Sequence, residues 1–517
     1  MPFGLRPRGP VRKVEHNCAE ADSDFERSEV VRSGAAGMLR APPLAMNSRR
    51  WYALGVMLCA VFLAAFDFNV VTVAIPSIQH GLATTFSEIQ LIVAGYALSF
   101  AVLLITGARL GDLYGRRRMY TIGMAGFTIA SALCGFARSP TALVGSRLLQ
   151  GAFAAVMVPQ ALSFIQVTFT PREQSLAYAT YGITIGFGMI AGQVLGGLLV
   201  SADLFGLAWR PVFLVNLPVG LAAIALSWWL VQESRAPGGL KLDPGGVALI
   251  SAALTLLLYP LIRGEAAGWP AWTWISLAAA ALLLAVFVRY ERWKTRRDGS
   301  PLLVLSLFHH RSFVVGLGVG LSFFSALAPF LILVTEYLQS GLDLTPRAAG
   351  LRFAPFAIAF LSASFASARL APRLGRAILQ LGAALMVTGL VALMAVVRSR
   401  AMSADGLAYI LPLVIYGLGQ GSLQAPLVNF ILTDVPPADA GSASGVVTML
   451  QQLSFALGVA VIGSVFAAAL GPNPVSAGYG RALDHALEWN IGLLTVTFVA
   501  AFALPRWERV RTRDAAA

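Results

Sequence analysis

The sequence predicts an all-α integral membrane protein with fourteen transmembrane helices, and three observations carry that reading. Of its 517 residues, 57% are hydrophobic and only 12% are charged, against about 25% charged in an ordinary soluble domain. The apolar residues are gathered in blocks of about 18–26, which at 1.5 Å per residue cross a hydrocarbon core of roughly 30 Å. The basic residues, finally, are shared unequally between alternate loops.

The apolar runs fall at 52–76, 88–109, 118–137, 141–165, 178–200, 212–232, 245–262, 271–290, 313–338, 348–368, 378–397, 406–431, 444–468 and 488–505. With the N-terminus inside, the inner segments hold 28 of the 38 Lys and Arg residues. The outer loops hold seven, namely Arg138, Arg210, Arg263, Arg347, Arg398, Arg400 and Arg481. Arg109, Arg147 and Arg352 lie within or at the ends of spans. This is the positive-inside bias, and it predicts a multi-pass protein of the bacterial cell membrane with both termini cytoplasmic. The net charge of +13 is therefore an orientation signal. No compact basic, aromatic-studded domain is left to bind nucleic acid.

Residues 1–49 are polar and Arg-rich, with no apolar stretch before Trp51. They read as a disordered cytoplasmic tail and not as a signal peptide. The string Met46-Asn47-Ser48-Arg49-Arg50-Trp51 looks like a translation start, so a chain beginning at Met46 is expected to be stable and active. Residues 506–517 read as a second cytoplasmic tail. Cys18, Cys59 and Cys134 have no paired or metal-ligand spacing, and the five histidines are scattered. No metal, cofactor or enzymatic constellation is expected. No GxxxxGK[ST] string is present, so direct drive by ATP is not expected.

An internal repeat organises the spans. Arg109-Leu110-Gly111-Asp112-Leu113-Tyr114-Gly115-Arg116 aligns without gaps on Arg369-Leu370-Ala371-Pro372-Arg373-Leu374-Gly375-Arg376, at an offset of 260 residues. Gln150-Gly151 recurs as Gln420-Gly421 at an offset of 270. Spans two and four therefore pair with ten and twelve. The domains predicted are a six-helix bundle (50–232), two inserted helices with a cytoplasmic linker (233–311), and a second six-helix bundle (312–505). Repeats of this kind characterise secondary transporters, whose site lies near the midplane between the repeats.

Several stretches carry chemistry. In the turn after span two, Gly115 permits a tight bend, Asp112 sits at a helix end, and Arg116, Arg117 and Arg118 hold the inner interface. With Leu110 these residues resemble the G-x-L-a-D-r-x-G-r-[rk] loop of the major facilitator superfamily. Ala108 stands at the first glycine and Leu113 at a basic position. Arg147-Leu148-Leu149-Gln150-Gly151 resembles the R-x-x-q-G pattern of that superfamily's fourth helix. An intramembrane arginine costs about 2.5–3.5 kcal/mol to insert and seeks a partner or a wet cavity. Asp67 lies at a comparable depth in span one. Loss of hydration favours its neutral acid and a neighbouring guanidinium its carboxylate, the balance that proton coupling needs.

The stretch Asp67-Phe68-Asn69-Val70-Val71-Thr72-Val73-Ala74-Ile75-Pro76 is similar to the D-x-T-x-V-N-V-A-L-P signature of the fourteen-helix drug:proton antiporter family, with Asn69 and Thr72 at the Thr and Asn positions. Span five carries Gly188, Gly192, Gly196 and Gly197, a stripe for close packing that resembles the family's g-x-x-x-G-P-x-x-G-G, with Gln193 in place of the proline. Met157-Val158-Pro159-Gln160 and Trp209-Arg210-Pro211-Val212-Phe213-Leu214-Val215-Asn216-Leu217-Pro218-Val219-Gly220 are similar to stretches at helix four and at the start of helix six.

The resemblance implies the major facilitator fold in a 6+2+6 arrangement and export of hydrophobic or amphipathic small molecules in exchange for protons, by a monomer in the bilayer. Asp67 and Arg147 would carry proton coupling. Asn69, Gln150, Gln160, Glu336 and Asn429 are the candidate cavity residues, with Gln339, Gln420 and Gln424 beside them, and Glu336 with Arg352 a candidate outer-gate pair. Export of one dedicated metabolite, and symport of a polar solute, are the alternatives.

Overall fold

The computed structural model describes residues 45–235, 242–264, 266–299, 301–399, 407–435, 440–471 and 476–504. Most of the expected N-terminal tail, Cys18 and the tail at 506–517 lie outside the described residues. The chain divides into two units, Met1–Trp51 and Tyr52–Ala517. The described part of the first is the opening of helix α1. The second carries the rest of the bundle.

Helix starts follow from local chemistry. Thr85 and Glu88 form a reciprocal capping box, the Glu88 N–H donating to Thr85 Oγ1 at 3.3 Å and the Thr85 N–H to Glu88 Oε2 at 2.8 Å. Ser139 precedes Pro140 and accepts from the Ala142 N–H at 3.2 Å. Thr345 precedes Pro346 and accepts from Ala348 at 3.2 Å. In both, the hydroxyl takes an otherwise orphaned N–H while proline occupies the one position that needs none.

The long helices are α1 (Ala45–Leu82), α2 (Phe86–Tyr114), α3 (Arg116–Gly135), α4 (Pro140–Thr168), α5 (Pro171–Ser201), α6 (Asn216–Leu230), α7 (Pro244–Arg263) and α8 (Ala271–Asp298). They continue as α9 (Arg311–Glu336), α10 (Ala354–Leu374), α11 (Ala377–Arg398), α12 (Ile410–Leu432), α13 (Ala440–Leu470) and α14 (Ser476–Ala500). No strand occurs among the described residues. Among those residues, 12 helices are long and apolar enough to cross a membrane, fewer than the fourteen spans expected. The two that fall outside are α3, which opens on Arg116–Arg118 and is rich in Gly, Ser and Thr, and α12, whose apolar run is diluted by Gln420 and Gln424.

The internal repeat reappears as packing. In the first half α2 packs on α4, α3 on α4 and α3 on α6; in the second, α10 packs on α12, α11 on α12 and α11 on α14. Glycine permits the closest approaches: a Cβ on Gly151 of α4 would lie 2.3 Å from the Tyr96 carbonyl oxygen of α2.

Hydrogen bonds join the halves at the distal end, the end that carries the α1–α2 turn. There Gln339 Nε2 donates to the Val73 carbonyl at 2.9 Å, and the Arg347 N–H donates to Ser201 Oγ at 2.9 Å. Gln90 Nε2 donates across the α2–α13 seam to Val459 at 2.8 Å. Helix α7 covers that seam, its Leu258 and Ile262 packing with Ala94, Ala97, Ala456 and Ala460. α8 packs on α7. At its far end Glu291 Oε2 accepts the Leu303 N–H at 2.9 Å, which ties the linker to the insert.

Candidate functional site

Asp67 and Arg147 form an ion pair whose side chains are both fully buried. Helix α1 supplies Asp67 and α4 supplies Arg147 and Gln150, one turn apart on the same face. The Asp67 carboxylate also accepts Gln150 Nε2 at 2.8 Å and Asn216 Nδ2 at 2.9 Å, both on Oδ1. Arg147 Nη1 donates to Gln150 Oε1 at 2.7 Å and Nε to the Ile92 carbonyl at 3.3 Å. Its guanidinium lies over the Tyr96 ring, 4.3 Å from the centroid, a contact strengthened by the burial of both side chains. Ser131 of α3 joins Gln150 at 2.8 Å and Asn216 at 3.3 Å. Five helices thus converge on one carboxylate.

The sequence expectation of a shared depth for Asp67 and Arg147 agrees with this geometry, but they face the interior of the first half and not the seam between halves. Helical geometry explains the difference. At 100° per residue, Asn69 points some 200° away from Asp67, and it is Asn69 that reaches the seam. With Gln193, Met189, Ile190, Phe356, Ala357 and Phe360 it lines a small cavity between α1, α5 and α10, of a size for about one water. Gln193 Nε2 donates to Thr72 Oγ1 at 3.1 Å, while Asn69 Oδ1 and Gln193 Oε1 have no hydrogen bond among the described residues.

The glycines of α5 act by closeness. A Cβ on Gly192 would lie 2.7 Å from the Phe66 carbonyl oxygen of α1, and one on Gly188 3.0 Å from that of Phe62. Gly196 rests on Val70, whereas a Cβ on Gly197 would lie 2.5 Å from the Pro346 carbonyl oxygen of the other half. The stripe therefore seats α1 on α5, and its last member seats one half on the other.

Of the remaining cavity candidates, Gln150 belongs to the ion-pair network. Gln160 bridges α4 to α2, donating to the Gly107 carbonyl at 2.9 Å. Glu336 is buried at the distal end and bonded to Ser340; it does not pair with Arg352, which donates to the Ala348 carbonyl at 2.9 Å. Asn429 is exposed on α12. Gln420 donates to Gln424 at 3.3 Å, and Gln339 holds the distal closure described above.

In the α2–α3 turn, Arg116 Nη2 donates to Asp112 Oδ1 at 2.7 Å across Gly115. Leu110 is part-buried on the last turns of α2 and Arg117 stands over the Trp228 ring at 5.3 Å. Glu233 closes the site: its two carboxylate oxygens accept the Arg117 and Arg118 N–H groups, each at 3.1 Å, an anion at a helix N-terminus. Gly115 has φ 108°, and a Cβ there would lie 2.5 Å from Glu233 Oε1. Gly115→Ala is therefore expected to cost about 1–3 kcal/mol, read as a lowered thermal midpoint in detergent; an unchanged midpoint would show that the turn relaxes freely.

Sequence reasoning missed Asn216, Ser131, Tyr96 and Glu233 as functional residues. Asn216 had a signal, as an amide inside an apolar run. Ser131 and Tyr96 had none, since one small hydroxyl or one aromatic in a membrane helix is unremarked until its neighbours are known.

Residues 57–459 match the sequence profile of the Major Facilitator Superfamily. The chain is 40% identical over 445 residues to a probable actinorhodin transporter of Streptomyces coelicolor, covering 86% of this chain and 77% of that protein. It is 34% identical to a puromycin resistance protein of Streptomyces alboniger (89% and 92% covered) and 34% identical to a multidrug resistance protein of Mycobacterium tuberculosis (79% and 74% covered). The fold is similar to a bacterial homolog of the human lysosomal transporter Spinster, with a TM-score of 0.65 at 16% identity, covering 88% of this chain and 98% of that one.

Proposed function

The chain belongs to the Major Facilitator Superfamily, and from that premise we propose that it exports hydrophobic or amphipathic small molecules across a bacterial cell membrane in exchange for protons. The observation that carries this reading is the buried Asp67–Arg147 pair with its Gln150 and Asn216 partners. A carboxyl held this way gains or loses a proton by rearranging four side chains on three helices. When Asp67 is protonated, Arg147 loses its counter-charge and α1 loses its strongest tie to α4 and α6. Helix α1 carries Asn69 and Thr72 on its opposite face, toward Gln193 and the seam. A shift of α1 thus couples proton occupancy behind the wall to the shape of the substrate path in front of it.

The same reading takes α3 and α12 across the membrane as well, since 20 and 23 residues span about 30 Å or more. That makes fourteen crossings in a 6+2+6 order, as a single chain, with both termini and the α2–α3 turn cytoplasmic and the distal end outside. Relatives named for actinorhodin, puromycin and tetracenomycin favour a second reading, export of one dedicated metabolite or antibiotic. Expression in a drug-sensitive bacterial host separates the two. Broad efflux predicts lowered accumulation of several unrelated lipophilic cations. A shift confined to one compound class selects the dedicated exporter, and raised accumulation would overturn export altogether.

A further inference from the structure

Among the described residues of the second half, Glu336 is the buried carboxyl that the coupling scheme leaves unused. It is the last residue of α9, only 2% exposed, and the chain continues from it into a π-helical turn, Tyr337–Gly341. Its Oε1 accepts Ser340 Oγ at 3.0 Å, and its Oε2 has no hydrogen bond. No ion pair among the described residues includes it.

The described residues around it form no ion pair with it. Helix α13 has no titratable side chain at 440–470. From α14, Tyr479 packs on the turn, its Cβ 3.0 Å from where a Cβ of Gly341 would stand. From α12 comes Tyr416, stacked on Phe330 at 3.8 Å, and from the residues before it Tyr409, bonded to Tyr337 at 3.0 Å. The helix Pro346–Arg352 brings Arg347, which is exposed, and Arg352, whose Nη1 donates to Ala348. An isolated carboxylate in such a place is an uncompensated buried charge, which is far costlier than its neutral acid. The position also matters. Three residues on, Gln339 clamps this turn to the Val73 carbonyl of α1 at 2.9 Å, one of the contacts that closes the distal end.

We propose that Glu336 is a second proton-binding site, loaded from the outer side, and that the distal ends of the two halves close only when it carries its proton. The proposal rests on the orientation given above, with the distal end outside. When the halves part there, the carboxyl meets external water and releases its proton to it. Closure requires a proton to be taken back from the same side. This proton is not the one exchanged at Asp67. It makes an acidic exterior hold the outer gate shut.

The test needs neither substrate nor a proton gradient. In a chain whose Cys18, Cys59 and Cys134 are replaced by alanine, Val459→Cys puts a thiol in the small cavity between α2, α9 and α13, reached only when those helices separate. Phe205→Cys, at a side chain 96% exposed, is the reference for the thiol's own pH dependence. Labelling by a membrane-impermeant maleimide is followed in right-side-out vesicles from about pH 5.5 to 8.5. The ratio of the two rates is expected to rise with pH, by up to tenfold per unit for one linked proton, and to stay flat in Glu336→Gln.

A flat ratio with Glu336 present, or a rise that persists in Glu336→Gln, overturns the proposal. Should Glu336→Gln fail to reach the membrane, Ser340→Ala keeps the carboxyl and removes its hydroxyl partner. A displaced midpoint is then expected, and an unmoved one overturns the proposal. Asp67→Asn separates the two sites: the rise survives it if Glu336 is responsible, and its loss there reassigns the effect to Asp67.

Discussion

Arg147→Met is expected to destabilise the protein by about 3–5 kcal/mol, because it strands the Asp67 charge in a fully buried site. The carboxylate keeps Gln150 and Asn216, at 2.8 and 2.9 Å, but two neutral donors do not replace a guanidinium in contact. Methionine fills much of the same volume, so the cavity contribution is small. The informative variant is the double one. Arg147→Met with Asp67→Asn removes both charges, leaves an amide that still bonds Gln150 and Asn216, and is expected to recover most of the loss. Denaturation in detergent, followed for the two singles and the double, measures the coupling directly. A double variant no more stable than Arg147→Met would show that Arg147 matters through its stacking on Tyr96 and not as a counter-ion.

The second large effect is functional. In liposomes, addition of a transported substrate to the wild-type protein is expected to release protons, and Asp67→Asn is expected to reduce that release at least tenfold. Substrate binding should change little, since Asp67 faces α4 and α6 while Asn69 and Gln193 line the cavity at the seam. The split between lost coupling and retained binding is what distinguishes a proton carrier from a structural anchor. If binding and coupling fall together, Asp67 serves only to hold α1 in place. If neither falls, the exchanged proton travels elsewhere. Asp67→Glu keeps the charge but adds a methylene to a fully buried site, so partial, still coupled transport is the expected outcome.

Much of this was legible in the sequence because a membrane leaves few options. Apolar runs of sufficient length become helices, since a helix satisfies its own backbone groups without water. The gapless match of Arg109–Arg116 to Arg369–Arg376 announced the repeat that reappears in the packing of α2 on α4 and α10 on α12. Asp67 and Arg147 stood out because charge in a span is expensive and needs a reason.

The direction those side chains face was not legible. A helix in a membrane is apolar on every side, so no polar face reveals which way a given residue points. Asp67 and Asn69 are two positions apart and serve opposite walls of α1. Gln160, read as a cavity polar, turned out to join α4 to α2. Gln193, read as the residue that breaks the antiporter pattern, bonds Thr72 and borders the cavity. The placement of α7 over the α2–α13 seam also depends on three segments far apart in the chain.

By itself, then, the sequence determined the class of the protein, its repeat and the identity of the buried charges, since each follows from the local cost of putting a residue in lipid. Only the tertiary structure decided which of those residues meet. Pairing depends on helix rotation and on close approaches at glycines such as Gly151, Gly192 and Gly197, which are set by the shapes of neighbours and not by any periodicity along one helix.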